Sequence, residues 1–141
     1  GAFACDAGTD FTEDEKSFAQ KMLESIGIVE WMPENLINTA CGLSGAGPAY
    51  VALFIEALAD GGVLKGLPRA TAMRLAEQTV MGTAKMIMET GMHPGAVKDM
   101  VSSPGGNTIV GIKTMEEFGV RGAMINTVTR SVERTVELEK V

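Results

Sequence analysis

The chain has 141 residues, which fits one domain at the usual size of roughly 100 to 200 residues. Hydrophobic residues make up 45% and charged residues 21%, the balance of a folded globular chain rather than a disordered one. A formal net charge of -6 argues against the basic footprint that neutralises phosphates, so no nucleic-acid partner is expected.

No uninterrupted run of 18 apolar residues and no basic-then-apolar leader occurs, so a cytoplasmic protein without a membrane partner is expected. Cys5 and Cys41 have no CxxC spacing; both read as reduced structural thiols, with a disulfide between them left open. The chain opens at Gly1 rather than Met, in what reads as the middle of a strand. We therefore expect a piece of a longer protein.

Residues 1 to 6 alternate Phe3 and Cys5 with small residues, which predicts a short strand; Gly8-Thr9-Asp10 is loop chemistry. Thr12 and Glu15 have the spacing of a capping box and start a helix. Its apolar residues Phe18, Met22 and Ile26 recur every four positions, and Gly27 ends it. Residues 28 to 31 predict a second strand. This β-α-β stretch is too small to stand alone, since a sheet generally needs three or more strands.

After Pro33 the pattern is helical. Residues 34 to 41 predict a short helix, broken by Gly42-Leu43-Ser44-Gly45-Ala46-Gly47 in a sharp bend or a loop against which a ligand packs. Residues 49 to 63 follow Pro48 and are apolar on every face, with Glu56 as the sole charge before Asp60. A helix of that kind must be covered all round, and a second copy of the chain is the simplest cover. Gly66 ends it, and Pro68 opens a helix over 69 to 90 with Gly91 as its cap. Met73, Ala76, Val80, Ala84 and Ile87 form its apolar stripe. Further helices are predicted over 94 to 100, over 108 to 118 with Gly119 as the stop, and over 121 to 139. The last carries Ile125, Val128, Val132 and Val136 on one side. The ten methionines read as core filling.

Chemistry concentrates in Ser102-Ser103-Pro104-Gly105-Gly106-Asn107-Thr108, where two glycines precede a helix start. First-turn amides and the positive end of a helix dipole suit a carboxylate or phosphate, and Ser103 and Thr108 add hydroxyls. The same residues also make an ordinary turn and helix cap, and alone they favour that plainer reading. Gly45 and Gly47 imitate the start of GxGxxG, but Tyr50 occupies the sixth place and no strand precedes it, so a dinucleotide fingerprint is ruled out. His93, next to Pro94, reads as a loop or capping residue rather than a general base. No metal-ligand spacing occurs, and no metal site is expected.

Taken in order, Leu43-Ser44-Gly45-Ala46-Gly47-Pro48-Ala49-Tyr50, Ala57-Leu58-Ala59-Asp60-Gly61-Gly62-Val63, Gly66-Leu67-Pro68-Arg69, His93-Pro94-Gly95, the Val101 to Thr108 loop and Ile125-Asn126 resemble pyrroline-5-carboxylate reductase. The resemblance runs collinearly from about Thr12 to Leu138. It implies a mainly α fold: a helical-bundle dimerisation domain like the C-terminal domain of 6-phosphogluconate dehydrogenase, over residues 33–141. Residues 1–32 would be the trailing strands and helix of an incomplete Rossmann domain.

The resemblance further implies a cytoplasmic oxidoreductase of proline biosynthesis, reducing Δ1-pyrroline-5-carboxylate to proline with NADPH or NADH. Its partners would be that substrate and a second copy in a homodimer, with dimers able to assemble into rings. Ser103, Gly106, Asn107 and Thr108 would hold the substrate, with the Gly106, Asn107 and Thr108 amides on the carboxylate. Thr108, as the catalytic residue, would lie near the imine nitrogen. Cys41, Gly45, Ala46, Val101 and Ser102 would lie near the nicotinamide. Cys41 is often threonine in relatives and Asn107 varies, so both depart from the usual pattern. The cofactor's own Gly-rich fingerprint matches nothing in these residues, so the piece itself is expected to be inactive. The competing reading is a non-catalytic helical dimerisation or interaction module that keeps the scaffold. A relative among hydroxyacid and imine reductases would use a lysine-centred site, which is not seen.

Overall fold

The computed structural model describes residues 1–6, 8 and 11–140. Thr9 and Asp10 of the expected first loop lie outside the described residues. The chain divides into two compact units, one made of Gly1–Pro48 with Met124–Val141 and the other of Ala49–Ala123.

In the first unit, strand β1 (Ala2–Asp6) pairs in parallel with β2 (Ile28–Met32), Ala4 lying opposite Glu30 and Cys5 opposite Trp31. Between them runs helix α1 (Glu13–Glu24). Its capping box is complete: the Glu15 amide donates to Thr12 Oγ1 at 3.3 Å and the Thr12 amide donates to Glu15 Oε2 at 2.9 Å. Hydrogen bonds from the Thr12 hydroxyl and amide hold the Glu15 carboxyl below its ordinary range. Trp31 anchors α1 by donating from Nε1 to Gln20 Oε1 at 3.2 Å and by lying under Lys16 Nζ, 4.9 Å from the ring centre.

That anchoring sets the inner face of α1, and it is not the face of the recurring apolar residues. Lys16, Ala19, Gln20 and Leu23 are the partly covered residues, whereas Phe18 is 71% exposed and Met22 and Ile26 are exposed with it. The fourfold recurrence is real, but the face of α1 that lies on Trp31 is the one bearing Lys16 and Gln20.

Beyond Pro33 a 3-10 turn (Glu34–Leu36) leads into α2 (Ile37–Ala40), and a π turn (Cys41–Gly45) follows. The expected break at Gly42 to Gly47 is thus helical: the Ala46 amide donates to Cys41 O at 3.0 Å, spanning five residues, and Gly47 at once begins α3 (Gly47–Leu64). A π turn absorbs one extra residue without opening the helix. The helical stretch Glu34–Leu64 is, by length and composition alone, long and apolar enough to cross a membrane. A search for an uninterrupted apolar run overlooks it. The later part of α7 (Val120–Leu138) packs here too, and Asn38 Nδ2 donates to Glu139 Oε1 at 2.8 Å. Cys5 and Cys41 are free thiols, and Cys41 is exposed.

In the second unit, α3 turns back into α4 (Arg69–Thr90) through Gly66, whose φ of +98° only glycine adopts readily. The Leu67 amide reaches Gly62 O and the Gly66 amide reaches Val63 O, the paired bonds of a glycine-terminated helix. The two helices approach over small residues. Ala59, Ala72 and Ala76 are buried, and a Cβ on Gly62 would come within 3.2 Å of Ala72 Cβ. Arg69 pairs with Asp60 across the turn. Gly91 closes α4 as expected, with φ +66°. Helices α5 (Pro94–Met100) and α6 (Asn107–Glu117) follow, and Gly119 (φ +68°) precedes α7.

This unit buries Ala59, Ala72, Ala76 and Val97, while fifteen large hydrophobic residues, from Val51 to Phe118, are exposed. Ile55, Val63 and Met73 pack against the alanines and are partly buried, so the fully buried core of the unit is small.

Candidate functional site

The loop between α5 and α6 is a tight turn set by its sequence. Ser103 O accepts from the Gly106 amide at 3.0 Å, Pro104 sits in the second place and Gly105 takes φ +69° in the third. Proline followed by a positive-φ glycine is the signature of a type II turn. It delivers the chain directly into α6, whose N-cap is Gly106, a residue with no side chain to cap the first amides.

The consequences fall unevenly on the expected site residues. The turn brings Val101, Ser102, Ser103, Gly106, Asn107 and Thr108 together around one helix start. The Gly106 amide, expected on the ligand, is already used in closing the turn. The Thr108 amide donates at 2.9 Å to Oδ1 of Asn107, so that side chain stands where a ligand oxygen would go. Among the described residues, the amides of Asn107 and Ile109 make no hydrogen bond, and neither do the hydroxyls of Ser103 and Thr108. Those amides and hydroxyls therefore remain as donors at the positive end of an 11-residue helix.

Ser102 is engaged differently. Its hydroxyl donates to Lys98 O at 2.6 Å and its amide to Asp99 O at 3.0 Å, which ends α5. Val101 is exposed. His93 caps the other end of α5: its Nδ1 accepts from the Gly95 amide at 3.0 Å, the capping role read from the sequence.

Cys41, Gly45 and Ala46 belong to the first unit and are brought together by the π turn. Gly45 gives the Cys41 thiol its room, since a Cβ there would be 3.3 Å from Sγ. Apart from the buried Gly42 the turn is exposed, and its open side, at Cys41 and Gly45, fits the edge of a planar ring. It does not fit a pyrophosphate, which needs successive free amides, because the Ala46 amide is bonded to Cys41 O. No cluster of three metal-ligating side chains occurs among the described residues. The reading from sequence missed the part played by Asn107 Oδ1. An asparagine at the first helical position was its only signal.

Comparison with known proteins supplies the remaining context. The model of the family described as pyrroline-5-carboxylate reductase dimerisation matches residues 34–138. A pyrroline-5-carboxylate reductase of Synechocystis is 53% identical over 127 residues, covering 90% of this chain and 48% of that protein. That of Escherichia coli K12 is 46% identical over 129 residues, covering 92% and 48%. Among solved structures, a pyrroline-5-carboxylate reductase from Coxiella burnetii superposes with a TM-score of 0.93 at 37% identity, over 97% of this chain and 51% of that one. A Plasmodium falciparum pyrroline carboxylate reductase with NADP bound gives 0.85 at 33% identity, over 94% and 54%. The chain spans about half the length of the curated relatives it matches.

Proposed function

Since the chain belongs to the pyrroline-5-carboxylate reductase family, we propose that it forms the dimerising and substrate-binding portion of an enzyme that reduces Δ1-pyrroline-5-carboxylate to proline with NAD(P)H. The enzyme is cytoplasmic on this reading and completes proline biosynthesis. The carrying observation is the single turn that presents the unengaged Ser103 and Thr108 hydroxyls beside the unengaged Asn107 and Ile109 amides.

The substrate is a cyclic imine with a carboxylate. On this reading the carboxylate takes the free amides of the α6 first turn and the Ser103 hydroxyl, and it reaches the Thr108 amide only by displacing Asn107 Oδ1. The Thr108 hydroxyl then lies at the ring nitrogen, where it orients the imine and helps retain its proton, making the carbon electrophilic. A bound dihydronicotinamide supplies the hydride. Val101 and Ser102 before the turn and, separately, Cys41, Gly45 and Ala46 on the π turn are the proposed cofactor contacts. The dinucleotide's phosphates find no cradle among the described residues, so these 141 residues alone are proposed to bind substrate without turning it over.

A homodimer is proposed as the cover for the apolar faces, with assembly of dimers into rings as a further step. The match to a dimerisation family supports a second copy, rather than a bilayer, as what lies against the apolar Glu34–Leu64 stretch.

Amide hydrogen exchange tests the site. Proline should protect the amides of residues 103 to 109, and pyrrolidine, which lacks the carboxylate, should not. Thr108→Val should weaken proline binding by about tenfold, the worth of one hydrogen bond near a charged group. If proline gave no protection, the non-catalytic interaction module would be the better account.

A further inference from the structure

The geometry points to Gly106 as a positioning residue, present to place the Ser103 hydroxyl rather than to donate its own amide to the bound carboxylate. This rests on the carboxylate reading of the loop. Gly106 has φ -74° and ψ 169°, a conformation open to every residue, so the backbone does not require glycine here. Its neighbour Gly105, at φ +69°, is the glycine that the turn requires. Nor is the Gly106 amide available, because it is spent on Ser103 O.

What remains is space, and Ser103 fills it. A Cβ on Gly106 would stand 2.3 Å from Ser103 Oγ, 3.1 Å from Ser103 O and 3.6 Å from Ser103 Cβ, its three nearest atoms. The hydroxyl therefore lies over the first residue of the α6 entrance, where an N-cap side chain would otherwise sit, and it bonds to no described residue. An alanine at 106 is accommodated by rotating the serine side chain about χ1, which clears Oγ, together with a small give of the turn at the Ser103 carbonyl oxygen, 3.1 Å from the added carbon. The fold would survive, and the hydroxyl would leave the anion's reach.

The test is a double-mutant cycle on Ser103→Ala and Gly106→Ala, reading proline affinity by calorimetry and the thermal midpoint of each variant. Ser103→Ala should weaken proline by about tenfold. Gly106→Ala should weaken it by a similar factor with its thermal midpoint little changed, and it should add less than about twofold when Ser103 is already alanine. Equal losses from Gly106→Ala in both backgrounds would show that Gly106 acts through its own backbone and would overturn the inference. If Gly106→Ala does not fold, the double variant decides: recovery of folding on removing Oγ supports the assignment, and continued failure overturns it. Wild-type protein that binds no proline, or Ser103→Ala that binds as wild type, would instead defeat the carboxylate reading, and the inference with it.

Discussion

Val132 occupies the space that a side chain on Gly42 would need. A Cβ at Gly42 would lie 2.5 Å from Val132 Cγ2 and 3.1 Å from its backbone nitrogen. The π turn and α7 approach so closely because position 42 has no side chain, and Gly42 is buried there. Gly42→Ala should cost about 1–3 kcal/mol in urea unfolding, the usual result of overpacking a site with a stiff β-branched neighbour. Adding Val132→Ala should recover part of that loss. Simple addition of the two losses would show that the contact is not the cause.

His93 should behave as a cap and nothing more. Removing Nδ1 with His93→Ala should cost about 1 kcal/mol, as for other N-caps, while His93→Asn should be close to wild type. Proline affinity should be unchanged in both variants. A loss of binding without a loss of stability would give His93 a role that its geometry does not suggest.

The capping box of α1 predicts the sign of one pH effect. The Glu15 carboxyl is held below its ordinary value by the Thr12 hydroxyl and amide, so the folded state favours its charged form. The resulting stability is present above the unfolded glutamate value and is lost as the pH falls through the lower folded value. The urea midpoint of wild type relative to Glu15→Gln should therefore decline over that acidic window and be flat near neutrality. Parallel curves across the whole range would contradict the assignment.

Apolar α3 predicts an obligate assembly. Leu53 is 68% exposed and Phe54 and Leu58 are exposed beside it, each worth roughly 1.5–3 kcal/mol when covered. Light scattering at micromolar concentration should give a dimer or a multiple of it. The thermal midpoint of the wild type should rise with protein concentration, and Leu53→Glu should lower it at every concentration. A stable, folded wild-type monomer would remove the argument.

Much of the local structure was legible in the residues because its causes are local. Thr12 and Glu15 are three positions apart, Gly91 follows the last residue of α4, and Pro94 opens α5; each signal lies within a few residues of the boundary it marks. The loop over residues 102 to 108 was legible as a helix start for the same reason. Its partition into used and unused donors was not, because a motif names residue types and leaves their pairing open. Whether the Gly106 amide serves a ligand or the Ser103 carbonyl depends on the closure of the turn.

Capping, turn chemistry and ordered motifs act between neighbours along the chain, and for that reason most helix ends, the β-α-β opening and the family could be read from the residues. Tertiary structure decided which faces are used. Trp31 drew α1 onto its Lys16 and Gln20 side and left Phe18 outward, the glycines at 42 to 47 made a π turn where a break was expected, and Gly106 proved to be room for Ser103. The physical reason is common to all three: periodicity and composition fix how much apolar or polar surface an element carries, but its direction is set by the atoms that come to lie against it.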